Sequence, residues 1–487
     1  MAEASAAEAT QAAPEPSLRQ RVIAGSAWTM ASFGLGQLLR FASNIVLARL
    51  LSPEIFGLMA LVNLFLRGTQ MLSDVGIGPS VTQSARGESR DFLATAWTLQ
   101  LVRGAVLALL CLALARPMGW FYDQPTLAPL IAVSALTVLL PSLNSTSLYV
   151  LGRRMEMRAL SVLEIGSQIA AIVLMIGWAR ISPTAWSLVA GAIVGGLVKL
   201  IASHLLLRGG YDRLRWDPAC ARELIGYGKW IFVSTMLTFF AAELDRLVFG
   251  KMIPIGELGV YSIATMIAGM PVQAILAVGS SIAFPAYSRI HREGRDVGRA
   301  FDRLRRPLVV VGGVLLSGLV ACGDQLIAVL YDARYAGAGW ILRVLAISGW
   351  FLVLECTNGA LLLARGAPNL VALGNAGKIA GLAGLMPAGF RWFGFAGAIA
   401  GVVQAEAIKY IVSAWSLARH HVAAWRRDLV FTVVFACAVG AGVLARAGIT
   451  RVDPSPWAQL LAAGAATLAV WIPLLWGVAK GLRRGAP

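Results

Sequence analysis

The sequence predicts an all-α polytopic membrane protein of about 14 transmembrane helices, two six-helix lobes related by a parallel repeat plus two C-terminal helices. Three observations predict it. Of the 487 residues 58% are hydrophobic and only 14% charged, against about a quarter charged in ordinary soluble domains. Apolar runs long enough to cross a bilayer recur along the chain. Lys and Arg gather in alternate loops.

In chain order, residues 1–17 (MAEASAAEATQAAPEPS) are Ala-rich, polar and acidic. They lack the basic start and apolar centre of a cleavable signal and are expected to form a disordered cytoplasmic tail. Apolar runs at 24–48, 54–75, 92–115, 126–149, 159–179 and 183–207 form the N-lobe, residues 18–208. A polar cytoplasmic linker, 209–226, separates it from the C-lobe, 227–418. The C-lobe runs lie at 227–250, 258–284, 307–330, 337–363, 368–389 and 393–417. Two further runs, 429–448 and 456–479, lie within residues 428–480. Pro53, Pro183 and Pro368 fall at or near span starts, where a missing N–H costs little.

Sorting Lys and Arg over these loops gives 26 on one side and 8 on the other. Seven of the 26 are arginines in residues 289–306 alone. That asymmetry places both termini in the cytoplasm. It also absorbs most of the +17 net charge, which in a soluble protein would point to nucleic acid; no nucleic-acid partner is expected.

No loop between spans exceeds about 25 residues, which leaves little room for a periplasmic catalytic domain or a nucleotide-binding domain. The chain is therefore read as no enzyme, and no cofactor is expected. GNAGKIAG (Gly374 to Gly381) lacks the phosphate-loop spacing and sits inside a span, where small residues pack helices. The five cysteines show no CxxC spacing and read as small buried hydrophobes; the four histidines form no metal-binding motif.

ARLLSPEIFGLMA (Ala48 to Ala60) lies without gaps on GKMIPIGELGVYS (Gly250 to Ser262). Arg49 falls on Lys251, Phe56 on Leu258 and Gly57 on Gly259, an offset of 202 residues. That distance is about six spans, an even number, so the copies share one orientation.

Basic residues remain inside spans: Arg40, Arg67, Arg103, Lys199, Arg246, Arg343, Lys378 and Lys409. Acidic ones include Asp74, Glu164, Glu243, Asp245, Glu355 and Glu406. Each costs at least about 2.5–3.5 kcal/mol at mid-membrane and needs a partner or a wet cavity. Arg343 and Lys199 are close enough to span ends to snorkel. Lys409 follows Glu406 by three residues, the spacing of a helical ion pair. Asp74, just before GIG, suits either a turn or a gate.

The repeat maps Arg246 onto Asn44, and Arg40 lies one turn before Asn44 on the same face. If the lobes face one another, Arg40 and Arg246 point into one central cleft; the alternative is packing within separate lobes. An arginine there stays charged and grips phosphate bidentately, so an anionic substrate is expected, bound by Arg40, Asn44 and Arg246. Glu243, three residues before Arg246, would hold it at rest. Asp245 points about 100° away, toward a neighbouring helix.

VLARLLSPEIFGLMALV, LSDVGIGPSVTQ, LDRLVFGKMIPIGELGVYSIA, FPAYSRI and YDARYAGAGWILRVLAISG together resemble the bacterial polysaccharide transporters, the Wzx-type flippases of the multidrug/oligosaccharidyl-lipid/polysaccharide (MOP) exporter superfamily. The resemblance implies two lobes around a cavity that open alternately to either side of a bacterial inner membrane. The substrate it implies is a polyprenyl-diphosphate-linked oligosaccharide, its headgroup held by cavity arginines. The resemblance is compatible with coupling to H⁺ or Na⁺ but assigns no carboxylate to it; Glu164, Glu243 and Glu355 are the candidates the sequence offers, and Asp74 stays the candidate gate. A polysaccharide polymerase or co-polymerase is a candidate partner. The competing readings are a MATE-like multidrug or organic-cation antiporter, which would want carboxylates in its cavity, and a membrane glycan polymerase or ligase, which would want a long periplasmic loop.

Overall fold

The computed structural model describes residues 18–71, 77–207, 209–293 and 297–484. The predicted tail at 1–17 and the candidate gate Asp74 lie outside the described residues. Within them the regular structure is helical, with no strand. The first half of the chain forms α1 (Leu18–Leu50), α2 (Pro53–Met71), α3 (Ile77–Gln83), α4 (Arg90–Phe121), α5 (Leu127–Ser134), α6 (Leu136–Leu143), α7 (Ser147–Arg153), α8 (Met157–Ile181) and α9 (Ala185–Leu205). The second half forms α10 (Pro218–Met252), α11 (Ile255–Val278), α12 (Phe284–Arg292), α13 (Val297–Leu330), α14 (Ala338–Ala364), α15 (Pro368–Arg419), α16 (Ala424–Ile449) and α17 (Pro456–Arg484).

Among the described residues nine helical segments are long and apolar enough to cross a membrane, ten with one bent pair counted as a span. The long helices outside that set, α1, α2 and α10, are those that carry Arg40 and Asn44, Arg67, and Glu243, Asp245 and Arg246. Of these three, α2 and α10 pack against each other and are joined by the Arg67–Glu243 ion pair.

Local chemistry sets the ends. Asp217 caps α10 by accepting the N–H groups of Ala219 and Cys220, with Pro218 in the first turn. Those two hydrogen bonds hold the Asp217 carboxyl below its ordinary range. The cap starts α10 at Pro218, inside the stretch read as a linker.

The run at 126–149 is not one straight helix. After Pro141 it breaks, and Leu127–Leu143 meets Ser147–Arg153 at 57°. Gln100 of α4 donates to the carbonyls of Pro141, Ser142 and Asn144 at 3.1, 3.0 and 3.3 Å. Asp212 accepts from the Thr146 N–H at 2.8 Å and its hydroxyl at 2.9 Å. The backbone groups freed by the break are so satisfied, the condition for irregular chain at membrane depth.

The runs at 368–389 and 393–417 form one element, α15, broken at Gly394, where φ is 61° and ψ −147°. That conformation suits glycine alone. The two halves fold back on each other, and Lys378 reaches Glu406.

The repeat reappears in the helix boundaries. α1 ends at Leu50 and α2 starts at Pro53; 202 residues later α10 ends at Met252 and α11 starts at Ile255. α2 and α11 pack together at this end so closely that a Cβ on Gly57 would lie 1.9 Å from the Ile255 carbonyl oxygen. One on Gly259 would lie 1.9 Å from that of Pro53. The two contacts are reciprocal, since Ile255 is Pro53 displaced by the same 202 residues. One continuous apolar core unites α2, α4 and α5 with α10, α11 and α14 around this junction.

The last two helices are tightly docked. Trp471 of α17 is fully buried over Gly313 of α13, beside Trp350, which stacks on Phe435 of α16 at 4.7 Å. Arg305 corrects the loop assignment of residues 289–306: it lies in α13 and is buried. Its guanidinium pairs with Asp428 of α16 and donates to Thr357 at 2.7 Å and the Leu354 carbonyl at 3.3 Å. Tyr410 donates to the same Asp428 at 2.9 Å. A polar network of this kind persists in a core because every member is satisfied.

The cysteines are all free. Cys111, Cys220 and Cys322 are buried, whereas Cys437 is exposed on α16.

Candidate functional site

One face of α10 carries Phe239, Phe240, Glu243 and Leu247 at helical spacing. Glu243 is the polar interruption, and its side chain is only 9% exposed. It accepts from Arg67 of α2 at 3.0 Å and from Arg246 of its own helix. One carboxylate thus holds two guanidinium groups from opposite halves of the chain. Arg246 is 17% exposed and Arg67 52%, so the second offers a free edge. Asp245 accepts from the hydroxyl of Tyr261 on α11, within a ring cluster with Phe249 and Phe395.

The described contacts bring Glu243 and Arg246 together but tie the other expected ligands elsewhere. Arg40 is exposed on α1 and donates to Gln37 at 3.0 Å; Gln37 donates to Gln273 of α11 at 3.1 Å. Asn44 accepts from Tyr331, at the end of α13, at 3.0 Å. Both chains of contact still join the two halves. Sequence reading singled out neither Arg67, 176 residues from Glu243, nor Gln37, Gln273 and Tyr331. Arg67 was one of eight intramembrane bases, and no local spacing links α2 to α10.

The remaining carboxylates have partners too. Glu164 of α8 pairs with Lys199 of α9, so Lys199 is an ion-pair member as well as a residue near a helix end. Arg343 likewise bonds Asp324 at 2.9 Å. Lys409 does not pair with Glu406, as the three-residue spacing predicted. It reaches Glu355 of α14 at 3.0 Å, while Glu406 takes Lys378. The fold-back of α15 supplies these closer cross-helix partners. The resulting four-charge cluster adjoins a cavity of about 400 Å³ lined in part by Thr238, Ser280, Glu355, Asn375 and Lys409. Glu406 Oε1 is buried there without a hydrogen-bond partner. Among the described residues no three His, Cys, Asp or Glu side chains gather as a metal site.

Comparison with known proteins places this architecture. Residues 46–339 match the family model described as polysaccharide biosynthesis protein. The teichuronic acid biosynthesis protein TuaB of Bacillus subtilis strain 168 is 26% identical over 364 residues, covering 73% of this chain and 74% of that protein. The lipopolysaccharide biosynthesis protein WzxC of Escherichia coli strain K12 is 23% identical over 359 residues, 72% of this chain and 71% of the other. Among solved structures, the lipid II flippase MurJ in an inward closed conformation superposes with a TM-score of 0.71 at 13% identity, over 93% of this chain and 98% of that one. An inward-facing MATE multidrug transporter of the MOP superfamily gives 0.61 at 13% identity, over 80% and 96%. The fold is therefore that shared by MurJ and the MATE transporters.

Proposed function

Since the chain belongs to the family of polysaccharide biosynthesis proteins, we propose that it translocates a polyprenyl-diphosphate-linked oligosaccharide across the bacterial inner membrane by alternating access. The cargo is a capsule, exopolysaccharide or O-antigen repeat unit. The observation that carries this reading is the sharing of Glu243 by Arg67 and Arg246. A diphosphate presents more acceptor oxygens than a carboxylate and grips guanidinium groups bidentately. It can take both arginines from Glu243, which then serves as their resting partner.

In this reading the fourteen spans are α1, α2 with α3, α4, α5 to α7, α8, α9, α10, α11 with α12, α13, α14, the halves of α15, α16 and α17, with both termini cytoplasmic. The two six-helix lobes meet at the Gly57–Gly259 junction, around which they rock. Arg40 meets the headgroup on entry. Asn44 and Tyr331 form a latch between α1 and α13 that opens as the lobes separate. Glu355, beside the cavity of about 400 Å³, is the carboxylate that exchanges its lysine for a coupling H⁺ or Na⁺; Glu164 stays with Lys199.

The test is translocation of a fluorescent polyprenyl-diphosphate-linked oligosaccharide in proteoliposomes. Arg67→Ala and Arg246→Ala should each abolish transfer while insertion and folding persist, and Lys at either position should rescue only part. Normal transfer by the double alanine variant would refute the cationic-site mechanism.

A further inference from the structure

We propose that the apolar cavity between α2, α4, α5 and α10 receives the isoprenoid chain of the carrier lipid next to its diphosphate. The inference rests on the function proposed above and assigns the other half of the same amphiphile.

The cavity measures about 320 Å³. α4 contributes Leu107, Leu110, Leu114 and Met118, a single stripe at spacings of three and four. α10 contributes Phe239, Phe240 and Leu247, with Glu243 on that same face. The cavity wall and the arginine site therefore share a helix face, about one turn apart. Arg67 of α2 lies on a different face from the wall residues Phe65 and Gly68 and comes to this end of the chamber through its 3.0 Å bond to Glu243. Arg103, one turn before Leu107 on the α4 stripe, reaches the Gln70 carbonyl at 3.0 Å. Cationic groups thus fringe an apolar chamber, the complement of a molecule with an anionic head and a hydrocarbon tail.

The wall asks for no hydrogen bond. Of its two polar side chains, Thr69 donates to the Leu66 carbonyl at 2.9 Å, and Tyr122 donates to the Leu247 carbonyl at 3.4 Å. A sugar placed there would leave its hydroxyls unpaired, and water would find no partners. A dry cavity of about 150 Å³ lined by such residues holds one benzene, so this one takes about two five-carbon isoprene units. Leu110 is 42% exposed, which opens the chamber at the surface of α4. The remaining chain can leave through that opening.

The experiment uses the full-length protein in lipid nanodiscs and a long-chain polyprenyl diphosphate with a diazirine in the isoprene units nearest the diphosphate. The expected label lies on the 107–118 and 239–247 peptides. Leu110→Trp and Leu114→Trp, checked for folding by thermal melting, should weaken binding of that lipid about tenfold or more. Binding of inorganic diphosphate should be unchanged, because the arginines are untouched. If the tryptophan variants hold the lipid as tightly and the label falls elsewhere, the inference is overturned while the transport reading stands. If phosphatidylglycerol displaces the label as well as the polyprenyl lipid does, the chamber is a general acyl-chain site and the inference is again overturned. If the unaltered protein retains no polyprenyl diphosphate, the transport reading falls as well.

Discussion

Gly57 of α2 and Gly259 of α11 are reciprocal neighbours, each leaving no room for a Cβ against the main chain of the other helix. Since that obstacle is backbone rather than a flexible side chain, a methyl group must push the helices apart. Gly57→Ala and Gly259→Ala should each cost about 1–3 kcal/mol of this packing. Because both methyls open the same junction, the double variant should cost less than the sum of the two. Thermal melting in detergent measures the loss, and maleimide reactivity of a cysteine placed at Ile255 reads the opening.

Glu243 neutralises the groups proposed to bind the headgroup. Glu243→Gln removes the competing charge and should tighten binding of inorganic diphosphate by about tenfold, equivalent to about 1.4 kcal/mol. Titration calorimetry on the purified variant checks this; weaker binding would mean that Glu243 positions the arginines rather than competing for them.

Arg305 and Asp428 are 5% and 1% exposed. Removing one partner strands a buried charge, so Asp428→Leu should destabilise by about 3–5 kcal/mol. Arg305→Met combined with Asp428→Leu should recover a large part of that loss. The comparison of the three melting temperatures is the measurement.

Between α13 and α14, Asp332 holds Arg334, which also donates to the Ala48 and Arg49 carbonyls, each at 3.1 Å. Hydrogen bonding from Arg334 lowers the Asp332 carboxyl below its ordinary 3.8. A depressed carboxylate stabilises above its unfolded value and ceases to do so as pH falls through the folded one. The contact should therefore be constant through neutral pH and loosen only below about 3.8. Asp332→Asn should loosen it at every pH, seen as faster amide exchange at residues 46–52.

Much of this fold was legible because bilayer length and charge asymmetry are coarse, additive signals. Gly57 and Gly259 were already aligned by the repeat, and Glu243 and Arg246 are joined by a three-residue spacing that any helix enforces. What escaped depends on which elements meet. Arg67 finds Glu243, and Lys409 prefers Glu355 to Glu406, only once α2 lies on α10, the halves of α15 fold back on each other and α15 packs on α14. The break after Pro141 depends on Gln100, more than forty residues away, to accept its cost. Arg305 looked like one more loop arginine, since nothing adjacent in the chain announces Asp428.

The Arg305–Asp428 pair also dictates an order of events during synthesis. The two residues are 123 positions apart, so at ordinary translation speeds the arginine emerges roughly 6 to 25 seconds before its carboxylate. For that interval α13 holds a guanidinium without the carboxylate that neutralises it in the finished core. The arrival of α16 makes the inward seat affordable. A ribosome that stops after residue 423 would thus release a bundle with a charge where its last two helices belong, a ready mark for membrane quality control.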